Sequence, residues 1–355
     1  MNKNKEITFL IGALHNGGQE RQVLNLIAGL NEKGFNTHLI IWTKFPCSEK
    51  ALERFLFSGI RLTFLKGLRL SKLWQLRKYI KKTDIVHCYT FHLNFLLFVS
   101  GALTKVKIFG GLRGQIEYYK RNMSFPLFVL NFILPKCIIT NSEVQYTEDL
   151  KFLEKLAPKF KVIENGVAIS SKYKVKPNLG KRCIDIFCVS RLIEEKKIDY
   201  ILKACSKLEG CWVLHIIGDG PKMNSLIQYA HELGIREKVK FHGEIGNVYD
   251  LIKDFDIFVL LSNSEGISNA ILEANGLGKP CVVTNVGDNY KIIKNNKNGF
   301  LINKGDVKKA EESLQKLLDN QKLLFDMGES GYEHVKKQFS ITKYIDETLK
   351  CYEQN

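Results

Sequence analysis

The chain has 355 residues, of which 45% are apolar, and it carries a formal net charge of +16. This length is too great for one typical core, so two domains are expected, and the apolar content is typical of a globular protein. The nine cysteines are scattered, odd in number and without a C-x-x-C pair, which predicts reduced thiols in a cytosol and argues against a disulfide framework or a zinc site. The lysine-rich start runs directly into a strand-like segment, so no signal peptide is predicted.

The whole excess of positive charge lies in the first half. Residues 1–180 contain 28 Lys and Arg against 12 Asp and Glu, a net charge of +16, whereas residues 181–355 contain 25 of each kind. A basic half predicts an anionic partner, which could be lipid headgroups, a phosphorylated acceptor or nucleic acid.

The first half alternates between short apolar runs and helical patterns, which predicts βαβ units and a parallel sheet. A helix over 19–33 ends at Gly34 and carries four apolar residues on one face. Strands are predicted at 7–11, 37–42, 84–88, 106–110 and 137–140.

Two uncharged stretches, 88–104 and 122–135, also lie in this half. Each is shorter than the roughly 20 apolar residues that span a bilayer. We interpret them as buried core helices. Partial insertion into a membrane face is the alternative, because a cluster of basic residues lies nearby. The cluster consists of Lys66, Arg69, Lys72, Arg77, Lys78, Lys81 and Lys82.

The second half repeats the alternation and predicts a second α/β domain. Strands are predicted at 184–189, 212–217, 239–241, 256–261, 281–284 and 300–302. Helices are predicted at 197–208, 222–233, 268–277 and 306–318, with two more towards the C-terminus.

These elements predict a first domain over 1–168, a polar linker over 169–182 and a second domain over 183–340. A C-terminal helix over 341–355 is expected to pack back towards the first domain. Two Rossmann-like, doubly wound domains that face one another would place a cleft at the carboxyl ends of both sheets.

Two glutamates, Glu265 and Glu273, stand with seven residues between them, after a strand-like run and before the Gly- and Pro-bearing turn 278–280. This order predicts a strand, a tight loop and a helix whose first N–H groups suit a phosphate. The two carboxylates could accept hydrogen bonds from sugar hydroxyls on either side of that phosphate. A nucleotide-sugar has this layout of ribose, diphosphate and hexose.

Two further loops carry groups that suit a phosphate. Between the first strand and the first helix, Gly17 and Gly18 would let the backbone approach an anion, although a plain βα turn is the alternative. Their spacing differs from G-x-G-x-x-G, so no nicotinamide cofactor is predicted. After the first strand of the second half, Arg191 and Lys196 could converge on one diphosphate, or they could simply be solubilising charges.

Two other segments are interpreted as structural. Residues 218–221 form a sharp turn between a strand and a helix. Asp254 and Asp256 could hold a divalent cation on a diphosphate, but we interpret Asp256 as the end of the preceding helix.

The histidines show no metal-ligand spacing. His215 lies within an apolar strand and is interpreted as a core residue. His15, His87 and His92 fall at or after the carboxyl ends of strands, where a cleft position and a plain loop position are both open.

Taken together, these segments resemble glycosyltransferase family 4, whose members are retaining enzymes of the GT-B fold. The likeness runs across nearly the whole chain and is strongest from Ile184 to Ile302. It rests on several motifs in a fixed order, namely the glycine loop 17–21, the stretch 162–167, Arg191 with Lys196, the turn 217–221, and Glu265 with Glu273.

The resemblance implies a role for each residue of the donor site. Glu265 would contact hydroxyls of the transferred sugar, and Glu273 would hold the ribose. The N–H groups near Gly266, Ile267 and Ser268 would meet the phosphates. The implied donor-binding set is Gly17, Gly18, Arg191, Lys196, Glu265, Gly266, Ile267, Ser268 and Glu273.

The implied catalytic residues are Arg191, Lys196 and Glu265. The two cations would stabilise the departing nucleoside diphosphate in place of a metal, so neither a metal nor a cofactor is expected. The acceptor would attack from the face that the leaving group vacates, which retains the anomeric configuration.

The chain departs from the family pattern on the acceptor side. A second His that often follows His87 by two residues is replaced by Tyr89, and Arg113 lies in a segment where some members carry a His near the sugar. His87 and Arg113 are nevertheless the acceptor-side candidates. Asn275 interrupts the usual apolar run after Glu273 and is expected to lie on a polar edge.

The leading hypothesis is a metal-independent hexosyl or N-acetylhexosaminyl transferase of capsule or O-antigen type polysaccharide assembly, with a UDP-linked donor. Its acceptor would be a lipid-linked glycan, and the enzyme would be cytoplasmic and peripheral on the anionic inner face of a bacterial cell membrane. An epimerase or hydrolase of the same fold is one alternative. A basic nucleic-acid-binding protein is another, but the sequence contains no known motif for it, so no nucleic-acid partner is predicted.

Overall fold

The computed structural model describes residues 5–15, 17–44, 47–114, 116–143, 159–169 and 183–354. The chain divides into two units. Unit 1 comprises Met1–Gly166 and Ile341–Asn355, and unit 2 comprises Val167–Ser340. The predicted linker over 169–182 lies outside the described residues except for Ile169.

The sheet of unit 1 is parallel throughout. Its strands are β1 (Glu6–Ile11), β2 (Asn36–Ile41), β3 (Leu62–Phe64), β4 (Ile85–Cys88), β5 (Lys107–Leu112), β6 (Cys137–Thr140) and β7 (Lys159–Val162). They follow the order β3-β2-β1-β4-β5-β6-β7. The order reverses between β1 and β4, which makes the sheet doubly wound, and ligands of such sheets bind beyond the carboxyl ends of the strands at this point.

The helices of the N-terminal part of unit 1 alternate with these strands. They are α1 (Gly18–Glu32), α2 (Glu49–Phe57), α3 (Arg69–Ile80), α4 (Asn94–Gly101), α5 (Ile116–Asn122) and α6 (Phe125–Ile133). The predicted apolar face of α1 is confirmed, because Val23, Leu26, Ile27 and Leu30 are fully buried.

Unit 2 contains a second parallel sheet. Its strands are β8 (Ile184–Val189), β9 (Trp212–Ile217), β10 (Val239–Gly243), β11 (Ile257–Leu260), β12 (Cys281–Thr284) and β13 (Gly299–Ile302). They follow the order β10-β9-β8-β11-β12-β13, so this sheet is also doubly wound.

The helices of unit 2 flank this sheet and close one continuous apolar core with it. They are α7 (Ile198–Cys205), α8 (Met223–Glu232), α9 (Val248–Ile252), α10 (Asn269–Gly276), α11 (Asn289–Ile292), α12 (Val307–Asp319) and α13 (Gln321–Gln338).

The last helix of the chain, α14 (Ile341–Gln354), packs on unit 1 beside α1. Ile345 lies so close to Gly29 that a Cβ on this glycine would come within 2.0 Å of the isoleucine Cδ1. The missing side chain of Gly29 therefore permits the contact between the two helices. Helices α1 and α14 share a core with one face of the sheet, whereas α3 and α4 share a core with the other face.

The sequence patterns do not predict α2, β3 or β7. Strand β3 has only three residues, and β7 alternates lysine with an apolar residue. Such short segments gain their stability from the ladder with a neighbouring strand, which a local pattern does not contain.

A disulfide joins Cys183 and Cys211, whose Cα atoms are 4.6 Å apart. The prediction of reduced thiols is therefore wrong for this pair. The register of β8 and β9 pairs Ile184 with Trp212, so the two cysteines, each one residue earlier, face one another across neighbouring strands. The two cysteines are 28 positions apart in sequence, and the pairing of β8 with β9 brings them together.

The uncharged stretches 88–104 and 122–135 contain α4 and α6. Leu97 and Phe128 are buried in the core, whereas Val99 and Phe125 are 43% and 67% exposed. The interpretation as core helices is therefore right for one side of each helix and wrong for the other. Across the described residues, no helix combines the length and the apolar character needed to cross a bilayer.

Candidate active site

Glu265 lies on the loop between β11 and α10, which confirms the predicted order of strand, loop and helix. Its Oε1 accepts a 2.8 Å hydrogen bond from Ser262 Oγ and lies 2.6 Å from Lys196 Nζ. The side chains of Lys196 and Glu265 are only 18% and 11% exposed, so solvent screens their attraction less than it would at the surface. Two donors thus hold one carboxylate oxygen in a defined place.

Ser262 positions Glu265, but no sequence motif points to this serine. Ser262 is fully buried, and its carbonyl oxygen accepts a 2.7 Å hydrogen bond from Thr284 Oγ1 at the end of β12. The loop is therefore tied to a neighbouring strand immediately before the glutamate. The local signal that could have found Ser262 is its position three residues before Glu265, since a hydroxyl at that distance can reach the carboxylate.

A second turn supports the backbone of the same loop. Gly287 has a φ of +56°, and a Cβ on it would lie 2.3 Å from Glu265 O. The N–H of Asp288 donates a 2.7 Å hydrogen bond to Gly266 O. Only glycine fits the first position, because the left-handed backbone and the close approach both exclude a side chain.

Arg191 and Lys196 lie on the loop after β8, and a second loop holds this one in place. The N–H of Leu192 donates to Asp219 O at 2.9 Å, and a Cβ on Gly218 would lie 1.9 Å from Ser190 O. The turn at 218–221 is thus structural, as predicted.

The two cations of this loop differ in their surroundings. Lys196 is paired with Glu265, whereas Arg191 is exposed. Close by, Glu194 bonds with Lys197 and with Lys222, the latter at 2.6 Å, and these two ammonium groups lower the pKa of Glu194 to about 2. Convergence of Arg191 and Lys196 on one anion stays a prediction.

Helix α10 begins immediately after the Glu265 loop. Ser268 is its N-cap residue, with an extended backbone and no capping bond from its side chain, so its hydroxyl leaves the first N–H groups of the helix to other acceptors. Ile267 and Ser268 are 5% and 6% exposed, and Glu273, one turn into the helix, is 6% exposed. The predicted phosphate contacts therefore fall on a largely enclosed helix start.

The glycine loop of unit 1 also opens a helix. Gly17 is the N-cap residue of α1, and Gly18 is the first residue of that helix. A Cβ on Gly17 would lie 2.8 Å from Glu20 Oε2, so the missing side chain makes room for a buried carboxyl group. Burial raises the pKa of Glu20, although nearby backbone N–H groups act in the opposite direction. A donor contact at Gly17 and Gly18 stays a prediction.

His87 lies in the core of unit 1. It is fully buried in β4, and its Nδ1 lies 2.7 Å from the hydroxyl of Tyr352 on α14. Burial, with a smaller contribution from the charge of Arg113, holds the pKa of His87 well below its usual range. His87 therefore links β4 to α14, and an acceptor contact at His87 stays a prediction. His15 and His92 are exposed.

Arg113 follows β5 and is only 6% exposed. Its Nη1 donates a 2.9 Å hydrogen bond to Asn165 Oδ1, and its guanidinium carbon lies 4.5 Å from the ring centre of Tyr89. The hydroxyl of Tyr89 in turn lies 2.6 Å from that of Tyr344 on α14. Arg113 is thus part of a buried polar network, and an acceptor contact stays a prediction.

No cluster of three or more His, Cys, Asp or Glu side chains with metal-binding geometry occurs among the described residues. Asp256 Oδ2 accepts a 2.7 Å hydrogen bond from the N–H of Asp185. The Asp256 carboxylate thus links the start of β11 to β8. His215, which is 5% exposed, lies 2.9 Å from both Asp185 and His242, so the prediction of a satisfied core histidine is confirmed.

Two families match successive parts of the chain. The family described as Glycosyltransferase Family 4 matches residues 16–171, and the one described as Glycosyl transferases group 1 matches residues 170–334.

Curated relatives include two bacterial enzymes. The lipopolysaccharide core biosynthesis glycosyltransferase LpsD of Rhizobium meliloti (strain 1021) is 22% identical over 347 residues, which are 95% of each chain. The UDP-Gal:α-D-GlcNAc-diphosphoundecaprenol α-1,3-galactosyltransferase of Escherichia coli is 31% identical over 210 residues, which are 55% of this chain and 54% of that protein.

A solved structure extends the comparison to the fold. HepE of Anabaena, in complex with UDP-glucose, is similar with a TM-score of 0.86 and 17% identity, over 99% of this chain and 100% of that one. At this identity the similarity shows the fold alone. The prediction of two Rossmann-like domains of GT-B type is confirmed.

Proposed function

Because the chain belongs to the glycosyltransferases of group 1 and family 4, we propose that it moves a hexose or N-acetylhexosamine from a UDP-sugar to a lipid-linked glycan, with retention of the anomeric configuration. The product would be a polysaccharide of the capsule or O-antigen type. The observation that carries the proposal is the Lys196–Glu265 pair beside the enclosed start of α10.

The relatives support this choice of donor and acceptor. HepE binds UDP-glucose, and the Escherichia coli enzyme is named for a UDP-linked galactose donor and a diphosphoundecaprenol-linked acceptor. A lipid-linked acceptor also fits the net charge of +16 in residues 1–180, because its diphosphate and the membrane around it are anionic.

In the proposed donor complex, the diphosphate lies at the N-terminus of α10. The N–H groups of Gly266, Ile267 and Ser268 point their positive ends to it, together with the helix dipole. Glu273, on the same helix, would accept hydrogen bonds from the ribose. Glu265 would accept hydrogen bonds from hydroxyls of the transferred sugar.

Lys196 links donor binding to catalysis in this proposal. A diphosphate within reach of Lys196 competes with Glu265 for the ammonium group, and it carries more charge than the carboxylate. When Lys196 turns to the diphosphate, the Glu265 oxygen is released for a sugar hydroxyl. Lys196 and Arg191 would then stabilise the charge that develops on the leaving diphosphate, so that no metal is needed.

The acceptor hydroxyl would attack the anomeric carbon from the side that the diphosphate leaves. Its proton would pass to the departing phosphate oxygen, and Glu265 forms no covalent bond to the sugar. This predicts an α-linked product from an α-linked donor, which proton NMR of the product would show. A β-linked product would contradict retention.

A panel of nucleotide-sugars tests the donor assignment by thermal shift, because a ligand that binds the folded chain raises its melting temperature. We expect a UDP-sugar to raise the melting temperature of the parent. In Glu265→Ala, UDP-linked sugars of different kinds should raise the melting temperature by similar amounts. The control is Glu237→Ala, which changes an exposed glutamate of the same unit and should select as the parent does. Equal selectivity in Glu265→Ala and the parent would exclude this role for Glu265.

Assays of donor turnover and of DNA binding separate the alternatives. Consumption of the donor without any acceptor would favour an epimerase or hydrolase. Salt-sensitive binding of DNA, without binding of a nucleotide-sugar, would favour a nucleic-acid-binding protein. Full activity in excess chelator is expected, and loss of activity that Mg²⁺ or Mn²⁺ restores would contradict metal independence.

A further inference from the structure

Large apolar side chains are exposed almost entirely on unit 1. Among the described residues, eleven such side chains are strongly exposed, and ten of them belong to unit 1, whereas only Tyr290 belongs to unit 2. Single exposed apolar residues are ordinary, but a contiguous group marks an interaction surface. Eight of the ten fall between positions 68 and 133, on or next to four helices. These eight are Leu68, Leu70, Trp74, Val99, Leu103, Tyr118, Phe125 and Ile133.

Three of the helices lie side by side on one face of the sheet. Helix α4 packs against both α3 and α6. Arg77 of α3 donates hydrogen bonds of 2.9 and 2.8 Å to the carbonyl oxygens of Ser100 and Ala102 at the end of α4. Leu70 and Trp74 are on the same side of α3 as Arg77, because their spacing is close to one and two helical turns. The exposed Leu70 and Trp74 thus share a side of α3 with the residue that contacts the end of α4, next to the fully exposed Leu103.

The outer side of α6 extends this apolar area. Helix α6 has the sequence FPLFVLNFI, and its side chains remain apolar where they leave the core. Phe125 and Ile133, at its two ends, are 67% and 38% exposed. A surface helix normally carries charged or polar residues on its solvent side, so this helix lacks half of the usual amphipathic pattern. We call the outer sides of α3, α4 and α6 the α3–α4–α6 surface.

The segment that carries these helices is strongly basic. Residues 65–136 contain 13 Lys and Arg against two acidic residues, Asp84 and Glu117, a net charge of +11. Lys78 extends over the ring of Trp74, with its Nζ 5.8 Å from the ring centre. Such a cation can stay at headgroup level while the aromatic ring enters the region below it.

We propose that the α3–α4–α6 surface docks on an anionic lipid bilayer, with its apolar side chains in the boundary between headgroups and acyl chains. The combination of exposed Trp, Phe and Leu with a rim of Lys and Arg complements both layers of that boundary. A protein partner of ordinary composition could offer carboxylates to the Lys and Arg side chains. It would not offer an apolar layer wide enough to cover the outer sides of three neighbouring helices. The proposal deepens the proposed function, since a lipid-linked acceptor lies in such a bilayer, but its test needs no acceptor.

Sedimentation with vesicles tests the surface directly. The full chain should sediment with vesicles rich in phosphatidylglycerol and stay in solution with pure phosphatidylcholine. The double variant Leu70→Gln/Trp74→Gln should lower the partition coefficient at least tenfold. Its matched control is Leu56→Gln/Phe57→Gln, which changes two residues that are 61% and 87% exposed at the end of α2, on the face of the sheet that α1 shares. The control should bind as the parent does.

A charge-reversal pair tests the basic rim. Arg69→Glu/Lys78→Glu should reduce binding to anionic vesicles at least tenfold, whereas Lys304→Glu/Lys308→Glu, with the same change of charge on exposed sites of unit 2, should reduce it much less. Equal loss in both pairs would show attraction by net charge alone and would overturn the proposal. So would absence of sedimentation for the parent, or a dimer in solution that the Leu70→Gln/Trp74→Gln change dissociates.

Donor binding serves as the independent measurement. The surface variants should bind a UDP-sugar as tightly as the parent does, because their substitutions lie in unit 1 and outside the donor set. A parent that sediments with vesicles but binds no nucleotide-sugar would support the surface and contradict the proposed function. The reverse result would contradict the surface alone.

Discussion

Ser262 controls the position of the carboxylate that the proposed mechanism needs most. Replacing it with alanine removes one of the two donors on Glu265 Oε1, while the other, Lys196, remains. A buried hydrogen bond to a charged group contributes about 1.5–3 kcal/mol, so we expect the free energy of unfolding to fall by that amount. We also expect several-fold weaker binding of a UDP-sugar, since Glu265 is less well oriented. Denaturant unfolding and calorimetric titration measure the two effects.

Ser225→Ala provides the control for this prediction. The Ser225 hydroxyl donates a 2.9 Å hydrogen bond to Lys222 O on the surface of unit 2, and Ser225 is not one of the candidate site residues. Its substitution should change the free energy of unfolding by less than about 0.5 kcal/mol. If Ser262→Ala is as mild as Ser225→Ala, the hydroxyl does not hold Glu265.

Gly287 tests whether the backbone turn sets the geometry of the Glu265 loop. In Gly287→Ala the left-handed conformation costs about 1–2 kcal/mol, and the contact of the new Cβ with Glu265 O adds about 1–3 kcal/mol. Gly305→Ala isolates the first cost, because Gly305 has a φ of +84° and its Cβ would meet open space. Thermal unfolding of both variants should show the larger loss for Gly287→Ala, and equal losses would exclude the steric contribution.

The residues of the site could be predicted singly, but their partners could not. The resemblance predicts that Lys196 and Glu265 bind the donor, but it does not predict their ion pair, which joins positions 69 apart in sequence. His87 shows the same difficulty, because its hydrogen-bond partner Tyr352 is 265 positions away. Its apolar neighbours in β4 do indicate burial. The sequence places His87 near a strand end, but it does not show that α14 packs against this histidine.

At the scale of elements, α10 and α13 show why Asn275 interrupts an apolar run. The expectation of a polar edge is wrong, because Asn275 is fully buried. Its Nδ2 donates to Lys279 O and Asn298 O, and its Oδ1 accepts a 2.9 Å hydrogen bond from Asn298 Nδ2. A Cβ on Gly331 of α13 would lie 2.3 Å from the Asn275 amide nitrogen. The asparagine therefore ties α10 to the segment before β13 at a point where α13 comes close to it.

Asn275→Leu should destabilise unit 2 because leucine has a similar branched shape but lacks the amide. The side chain of Asn298 and two backbone carbonyl groups lose a partner, and an unsatisfied buried polar group costs about 1–3 kcal/mol. We expect a loss of about 3 kcal/mol or more in the free energy of unfolding by denaturant. Asn224→Leu, on the exposed side of α8, should change it by less than about 0.5 kcal/mol. A small effect at Asn275 would contradict the network.

Most helices and strands are predicted within a few residues because each carries a local apolar period. The disulfide of Cys183 with Cys211, by contrast, depends on the register of β8 and β9, which sequence spacing does not give. The same limit applies to β7, whose lysine-containing pattern becomes a strand only beside β6. Local pattern thus predicts elements, and tertiary pairing decides where their polar residues go.

At the scale of the whole molecule, buried histidines make stability depend on pH. His38 in β2 is 1% exposed, and its Nε2 lies 2.9 Å from Thr63 Oγ1. Burial, with a smaller contribution from the charge of Arg61, lowers the pKa of His38 from 6.5 to about 4. His87 shifts in the same direction. Both histidines are therefore neutral in the folded chain under conditions where they would be charged in the unfolded chain.

The sign of the effect follows from proton binding. Between pH 6.5 and about 4, His38 binds a proton in the unfolded chain but stays neutral in the folded chain. The contribution of His38 to the free energy of unfolding is therefore fully present above this range and is lost as the pH falls through it. For His38 alone the loss is roughly 3 kcal/mol, from the shift of its pKa and 1.36 kcal/mol per unit. Hydrogen exchange followed by mass spectrometry, across this pH range, would report the opening free energy of unit 1 separately from that of unit 2.

His38→Gln is the comparison that isolates this histidine. Glutamine can keep a hydrogen bond to Thr63 but does not titrate, so the variant should lose less stability than the parent as the pH falls. Glu20, whose pKa is raised by burial, contributes with the opposite sign, but it is present in both proteins and cancels in the difference. Parallel pH profiles for the parent and His38→Gln would show that His38 is protonated in the folded chain, and the acid sensitivity of unit 1 would then have to come from His87.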